Sequence, residues 1–406
     1  MNNKLLLMLT GSLFLTGVFF SCTKDPILND EYNATEEFHL KSAPSKVALT
    51  PKEELGKYLY FDKISSPSNM ACSDCHAAKV GFTGSTVGIN IHGSVYRGAD
   101  AQNFGDRKPP SAAYATFSPI LHMGEGGTFE GGLFWDGRAT GDRLGNPAAE
   151  QAIGPFLNPA EHNMPTVLSV LQKIAKAKYI SMWEDVWGEP FAYDTPEVIV
   201  KNYDRVGLTI AAYEASKEIN QFSSKYDYYL KGLANLTKEE AWGLELFNGK
   251  GNCAACHPST ATDDDHLVLF TDFTYDNLGV PKNPQNPVYD YNPSFVDLGL
   301  GGFLASTENY KIYASDNMGK QKVPTLRNVD KRPGDGFTKA YTHNGYFKSL
   351  KEVVHFYNTR DVQVWPDPEV ADNINDGELG NLGLTNAEED AIVAFMKTLS
   401  DGYVIK

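Results

Sequence analysis

Apolar positions recur with a helical period in a few short stretches, and each stretch opens on a cap. Thr50-Pro51-Lys52-Glu53 is a capping box with proline at the first helical position, followed by Leu55, Gly56 and Leu59. Thr237-Lys238-Glu239-Glu240 is another box, followed by Trp242, Gly243 and Leu246 at the same offsets. The shared grammar predicts one helix-and-turn unit used twice. A later helix closes each unit. Thr195-Pro196-Glu197 opens one, with Ile199, Tyr203, Val206, Ile210 and Tyr213 on a single face. Thr385-Asn386-Ala387-Glu388 opens the other, with Ile392, Phe395, Met396 and Leu399 turned inward. Between the helices lie Gly- and Pro-rich stretches, notably 84–132 and 279–303, which read as long loops.

The first apolar run has a different meaning. "MNNKLLLMLTGSLFLTGVFFSC" has a lone lysine, an apolar stretch and a small residue directly before Cys22. It reads as a secretory signal over 1–21 that ends at a lipoprotein processing site, with Cys22 carrying the lipid. Polar sequence over 22–46 reads as a flexible tether. The expected location is the periplasm or the outer-membrane surface, with the lipid as the only membrane contact. No internal run is long and apolar enough to span a bilayer. At 406 residues the chain suits two domains. A formal charge of −15 argues against a nucleic-acid partner.

Cysteine usage narrows the chemistry. Of five cysteines, Cys22 is set aside, and the other four form Cys72-Ser-Asp-Cys75-His76 and Cys253-Ala-Ala-Cys256-His257. A disulfide framework rarely puts every pair three residues apart and follows each with histidine. Zinc needs four ligands and each unit offers three close ones. In CxxCH the thiols lie about one helical turn apart, so both can form thioethers along one porphyrin edge with histidine under the iron. The expectation is two covalent haems. The chain therefore reads as mainly α, with two cytochrome-c-like haem domains, 47–220 and 221–406, and long irregular loops.

With "LGKYLYFD" (55–62), "FWDGRA" (134–139), "EQAIGPFLNPAEHNM" (150–164), "VPTLRNV" (323–329) and "YTHNGYFKSLKEVVHFY" (341–357), the haem motifs resemble the bacterial dihaem cytochrome c peroxidase/MauG family from about residue 50 onward. The resemblance implies that hydrogen peroxide is reduced at the first haem while the second relays or stores oxidising equivalents. It casts Trp135 as the relay between haems, and Gln151 and Glu161 as pocket residues over the first. A carboxylate there can move a proton from one peroxide oxygen to the other. Asn158-Pro159-Ala160-Glu161 also reads as a capping box, so Glu161 has two readings. His92 matches a displaceable ligand of the first haem, although a loop histidine is ordinarily just solvated. Where many members carry a calcium-binding asparagine this chain has Lys108, which puts calcium in doubt. At the second haem, the position of the usual methionine ligand holds Tyr357, with His355 and Met318 as other donors. A phenolate would lower that iron's potential. The partners implied are a small c-type cytochrome or another redox protein, or a protein substrate to be oxidised. The reading from another class is a non-enzymatic dihaem electron-transfer cytochrome.

Overall fold

The computed structural model describes residues 48–261 and 267–405. The signal, the tether and Cys22 lie outside the described residues. Within them are seven helices of eight residues or more: α1 (Pro51–Phe61), α2 (Pro147–Leu157), α3 (Val167–Ile174), α4 (Pro196–Glu214), α5 (Lys238–Asn248), α6 (Leu350–Thr359) and α7 (Asn386–Lys397). Four two-residue strands form two small antiparallel ladders, and most of the rest is irregular. The fold is mainly α with long loops, as the sequence predicts.

The repeated unit folds the same way twice. Thr50 Oγ1 accepts the Glu53 backbone N–H while Glu53 Oε2 accepts that of Thr50 (3.3 and 2.7 Å). Thr237 and Glu240 repeat the exchange at 3.2 and 2.7 Å, and Thr385 with Glu388 caps α7 likewise. α1 then crosses α4, and α5 crosses α7, at nearly touching backbones. A Cβ on Gly56 would stand 2.1 Å from the Thr209 carbonyl oxygen, and one on Gly243 would stand 1.9 Å from that of Ala391. Only glycine fits either crossing. The copies differ in what covers them. The helix Met182–Trp187 packs on α1, where Leu55 is fully buried, whereas Trp242 at the same offset of α5 is 40 % exposed.

Two apolar cores result. One gathers Leu59, Val170, Leu171, Val206 and Ile210 from α1, α3 and α4 around Trp183. The other gathers Phe247, Phe356, Ile392 and Phe395 from α5, α6 and α7, with Phe270 from the intervening chain and Tyr226 from a short helix before α5. Each fully buried side chain of this size contributes roughly 1.5–3 kcal/mol. Between the cores the chain is tied by polar contacts. Lys322 Nζ donates to Gly131 O (2.9 Å), Lys339 Nζ to Val80 O (2.9 Å) and Lys348 Nζ to His92 O (2.6 Å). The Arg107 guanidinium meets the Asp297 carboxylate with two contacts of 2.6 Å. These ties fix how the two CxxCH turns face each other.

Candidate active site

Each CxxCH unit is a single helical turn. The His76 N–H donates to Cys72 O (3.0 Å) and the His257 N–H to Cys253 O (2.9 Å), which places cysteines and imidazole around one opening. His76 Nδ1 lies 3.2 Å from Phe82 O and His257 Nδ1 lies 2.8 Å from Phe270 O. A carbonyl only accepts, so Nδ1 carries the hydrogen in both rings and the Nε2 lone pair is left for a metal. Burial, the leading cause in both, keeps the rings neutral, and it drives His76 down to about 4.

Whether these residues suit haem can be judged from the donors. All four thiols are free, and burial pushes each one up, Cys253 to about 12, so none is a ready thiolate. Among the described residues, neither unit's own two thiols and imidazole converge on a point that one ion could occupy. The one group of three that does converge joins Cys256 to Asp276 and Glu378 instead. The cysteines and imidazole of each unit line a cavity, of about 560 Å³ at the first unit and about 220 Å³ at the second. Two thiols and a neutral imidazole along one cavity wall, without converging on a single point, fit a covalently attached porphyrin better than a zinc ion.

The first cavity collects the acid–base groups. Gln151 from α2, Trp135, Arg138 and Glu161 all line it with His76. The capping reading of Glu161 is corrected here. α2 ends at Asn158, and residues 158–163 form a turn in which Asn158 Oδ1 accepts Ala160 N–H (3.0 Å) and Asn158 O accepts Glu161 N–H (3.0 Å). No helix starts there, because Asn158 serves the end of the preceding one, so Glu161 has no cap to make. Burial raises its pKa above the ordinary carboxyl value, against the opposing pull of Arg138 and Asn158. His92 is not brought to this cavity. It sits on a turn whose carbonyl is held by Lys348 Nζ at 2.6 Å, while Met70 and His162 are lining residues that the sequence did not single out.

The second cavity holds Tyr357 together with Cys253, Cys256 and His257. The other two candidate donors lie elsewhere: His355 Nδ1 pairs with Glu389 Oε1 (2.9 Å), and Met318 packs in a separate apolar cluster around Leu300. Burial, then the nearby Cys256 and Asp276, hold the phenol protonated, so only a bound cation would draw out the phenolate.

Trp135 lines both cavities. It is 8 % exposed, its Nε1 donates to Lys108 O (2.8 Å), and its ring meets His343 edge-on at 6.4 Å. Lys108 also lines both. Its buried Nζ donates to Thr83 Oγ1 (2.9 Å) and Pro109 O (3.0 Å), and burial brings the ammonium down to about 8. A fixed cation thus sits between the cavities, where the resemblance puts a calcium-binding asparagine.

Sequence reasoning missed Glu214, which also lines the first cavity. The signal was present, since it stands four residues after Ile210 on the buried face of α4. Lys322, in a two-residue strand, and Lys339, in an irregular segment, are buried against backbone carbonyls where the sequence gives no such signal.

Two cavities, each walled by a CxxCH turn and sharing one tryptophan, define a two-haem c-type redox protein. A family model described as di-haem cytochrome c peroxidase matches residues 50–235. The methylamine utilization protein MauG of Paracoccus denitrificans (strain Pd 1222) is 33 % identical over 363 residues, spanning 86 % of this chain and 88 % of that one. The cytochrome-c peroxidase IdrP2 of Denitromonas iodatirespirans is 27 % identical, spanning 86 % and 81 %. The crystal structure of the diheme peroxidase BthA from Burkholderia thailandensis E264 superposes with a TM-score of 0.72 at 30 % identity, over 87 % of each chain. The chain belongs to the di-haem cytochrome c peroxidase/MauG family of oxidoreductases, a family that carries two c-type haems.

Proposed function

We propose that the protein is an exported, lipid-anchored peroxidase-family enzyme that reduces hydrogen peroxide in the first cavity. Cys72 and Cys75 would hold the first haem with His76 as its ligand. Cys253 and Cys256 would hold the second, with His257 and Tyr357 as ligands. When bound, the first haem supplies an iron for peroxide and takes up its oxidising equivalents. Glu161 accepts a proton from one peroxide oxygen and returns it to the departing one, while the Gln151 amide orients the molecule. Trp135, buried and shared by both cavities, carries electrons between the sites. Electrons come from a small c-type cytochrome or another redox protein, or from a residue of a protein substrate.

One observation carries this reading. The acid–base side chains Glu161 and Gln151 line the first cavity only, and Tyr357 lines the second. A phenolate is a hard anionic donor that favours ferric and higher-valent iron, which leans toward MauG-like use of the second site. The rival electron-transfer reading would need Met70 or His162 on the first iron, since both line that cavity.

Anaerobic mixing of the purified diferric and half-reduced protein with peroxide, followed by absorption, tests the reading. The diferric form should react without prior reduction. Tyr357→Phe should shift the second haem's spectrum and raise its potential while leaving peroxide binding at the first. If Tyr357→Phe changes neither, the tyrosine is packing and the plain peroxidase reading replaces the MauG-like one. A first haem inert to peroxide in every redox form returns the protein to electron transfer alone.

A further inference from the structure

Glu214 closes the long helix α4, is 6 % exposed and lines the first cavity. Its backbone carbonyl is taken by Asn220 Nδ2 (3.0 Å), but its carboxyl oxygens have no hydrogen-bond partner among the described residues. The titratable groups facing it are Tyr60 from α1, Cys72 from the CxxCH turn and Tyr213 from its own helix, and none is a cation. An unpaired buried carboxylate is costly, and the negative end of a helix opposes it further. Burial accordingly pushes Glu214 up to about 8, so at neutral pH it holds a proton inside the cavity.

Peroxide reduction consumes protons: H2O2 + 2 H⁺ + 2 e⁻ gives 2 H2O. Glu161, in the role given above, only passes a proton from one peroxide oxygen to the other, so its own balance is zero. The electrons come from the external redox protein. The consumed protons need a source. We propose that Glu214 is the buried proton reservoir of the first site, giving one of the two consumed protons to the oxygen being reduced and regaining it from solvent between turnovers, while solvent supplies the second. The Glu214 O–H bond breaks with its electron pair left on the carboxylate, and an O–H bond of product water forms. This role rests on the peroxidase reading.

The test uses the two-haem holoprotein, with Glu214→Gln and Glu214→Asp as variants. Reduced-minus-oxidised infrared spectra should show a carboxylic-acid band in the wild type that Glu214→Gln lacks and Glu214→Asp restores. At fixed donor potential, the first haem's ferric-to-ferrous ratio should rise with pH by up to about tenfold per unit in the region of pH 8. In Glu214→Gln it should flatten, with the second haem unaffected. The amide should also fold well. The native pKa lies above the unfolded one, so burying the carboxyl costs stability progressively as pH rises from the ordinary carboxyl range toward 8. Glutamine escapes that cost. Peroxide consumption by the wild type, with the infrared band and pH dependence unchanged in Glu214→Gln, overturns the reservoir alone. Wild-type holoprotein that consumes no peroxide overturns the peroxidase reading and the reservoir with it.

Discussion

The two halves share a cradle and differ in their polar lining. Both cross a capped helix over a closing helix at a glycine, and both turn a CxxCH histidine so that its Nδ1–H meets a backbone carbonyl. In the first cavity the polar groups Gln151, Glu161 and Glu214 keep side-chain atoms uncommitted. In the second, several are spent on structure, while Gln321 and Tyr341 Oη find no partner among the described residues. Lys339 Nζ donates to the carbonyls of Val80, Asn328 and Lys331, Arg327 pairs with Asp227, and the Asn277 amide serves Val370 and Asp372. Tyr357 is left facing the CxxCH turn. Duplication copies a way of holding a cofactor. The two cavities part in their lining, with Glu161, Gln151 and Glu214 in the first and Tyr357 in the second.

The largest effect expected is the loss of one site without the other. Changing Cys253 and Cys256 to Ala should lower covalent haem from two per chain to one, measured as the haem-to-protein ratio after acid–acetone extraction, with the first site's spectrum kept. Loss of both haems would show that the cradles are not independent.

Next comes Glu161→Gln, which should slow the reaction with peroxide by about 10²–10⁴-fold in stopped-flow mixing while both haem spectra persist. Glu161 works as an ionised base and its pKa is raised, so the wild-type rate should fall as pH drops through that raised value. The variant should lack this limb. A loss under about tenfold would remove the acid–base distinction between the cavities.

Gly56→Ala and Gly243→Ala probe what the halves share. Alanine gains up to about 1 kcal/mol of helix propensity. Overpacking costs roughly 1–3 kcal/mol, and contacts near 2 Å with backbone carbonyls leave little room to relax. The clash should win in both, lowering the denaturation midpoint, and the damage to the haem spectrum should be confined to the altered half. Tolerance at one position would break the equivalence of the two crossings.

The smallest effect tests the caps. Thr50→Ala and Thr237→Ala should each cost about 1 kcal/mol in chemical denaturation, and by similar amounts. A large inequality would mean that one helix start is held by more than its box.

The shared scaffold was legible in the sequence because its signals are local. Thr50 with Glu53 and Thr237 with Glu240 announce helix starts, and Tyr203, Val206 and Ile210 announce a buried face. The distinguishing site was legible only in part. Gln151, Glu161, Trp135 and Tyr357 entered through family resemblance, and the structure brings each to a cavity. Asn158-Pro159-Ala160-Glu161 carried a local helix-start signal that the end of α2 overrode. His92 and Lys108 sit in loops, where position depends on contacts with chain hundreds of residues away, such as Lys348 on the His92 carbonyl. Periodicity does not encode those contacts.

The lysines that stitch the cores together bear on modular engineering. Lys322, Lys339 and Lys348 belong to the second half and place amino groups, buried for the first two and half-buried for Lys348, on carbonyls of the first, at Gly131, Val80 and His92. A gene cut near residue 220 would separate those amino groups from their carbonyls, besides splitting the Arg107–Asp297 pair. Water would solvate the separated groups, yet each fragment would lose these cross-half hydrogen bonds, which are net stabilising. Neither fragment would serve as a stand-alone monohaem part to be shuffled among fusions. The useful unit of exchange is the whole two-haem body.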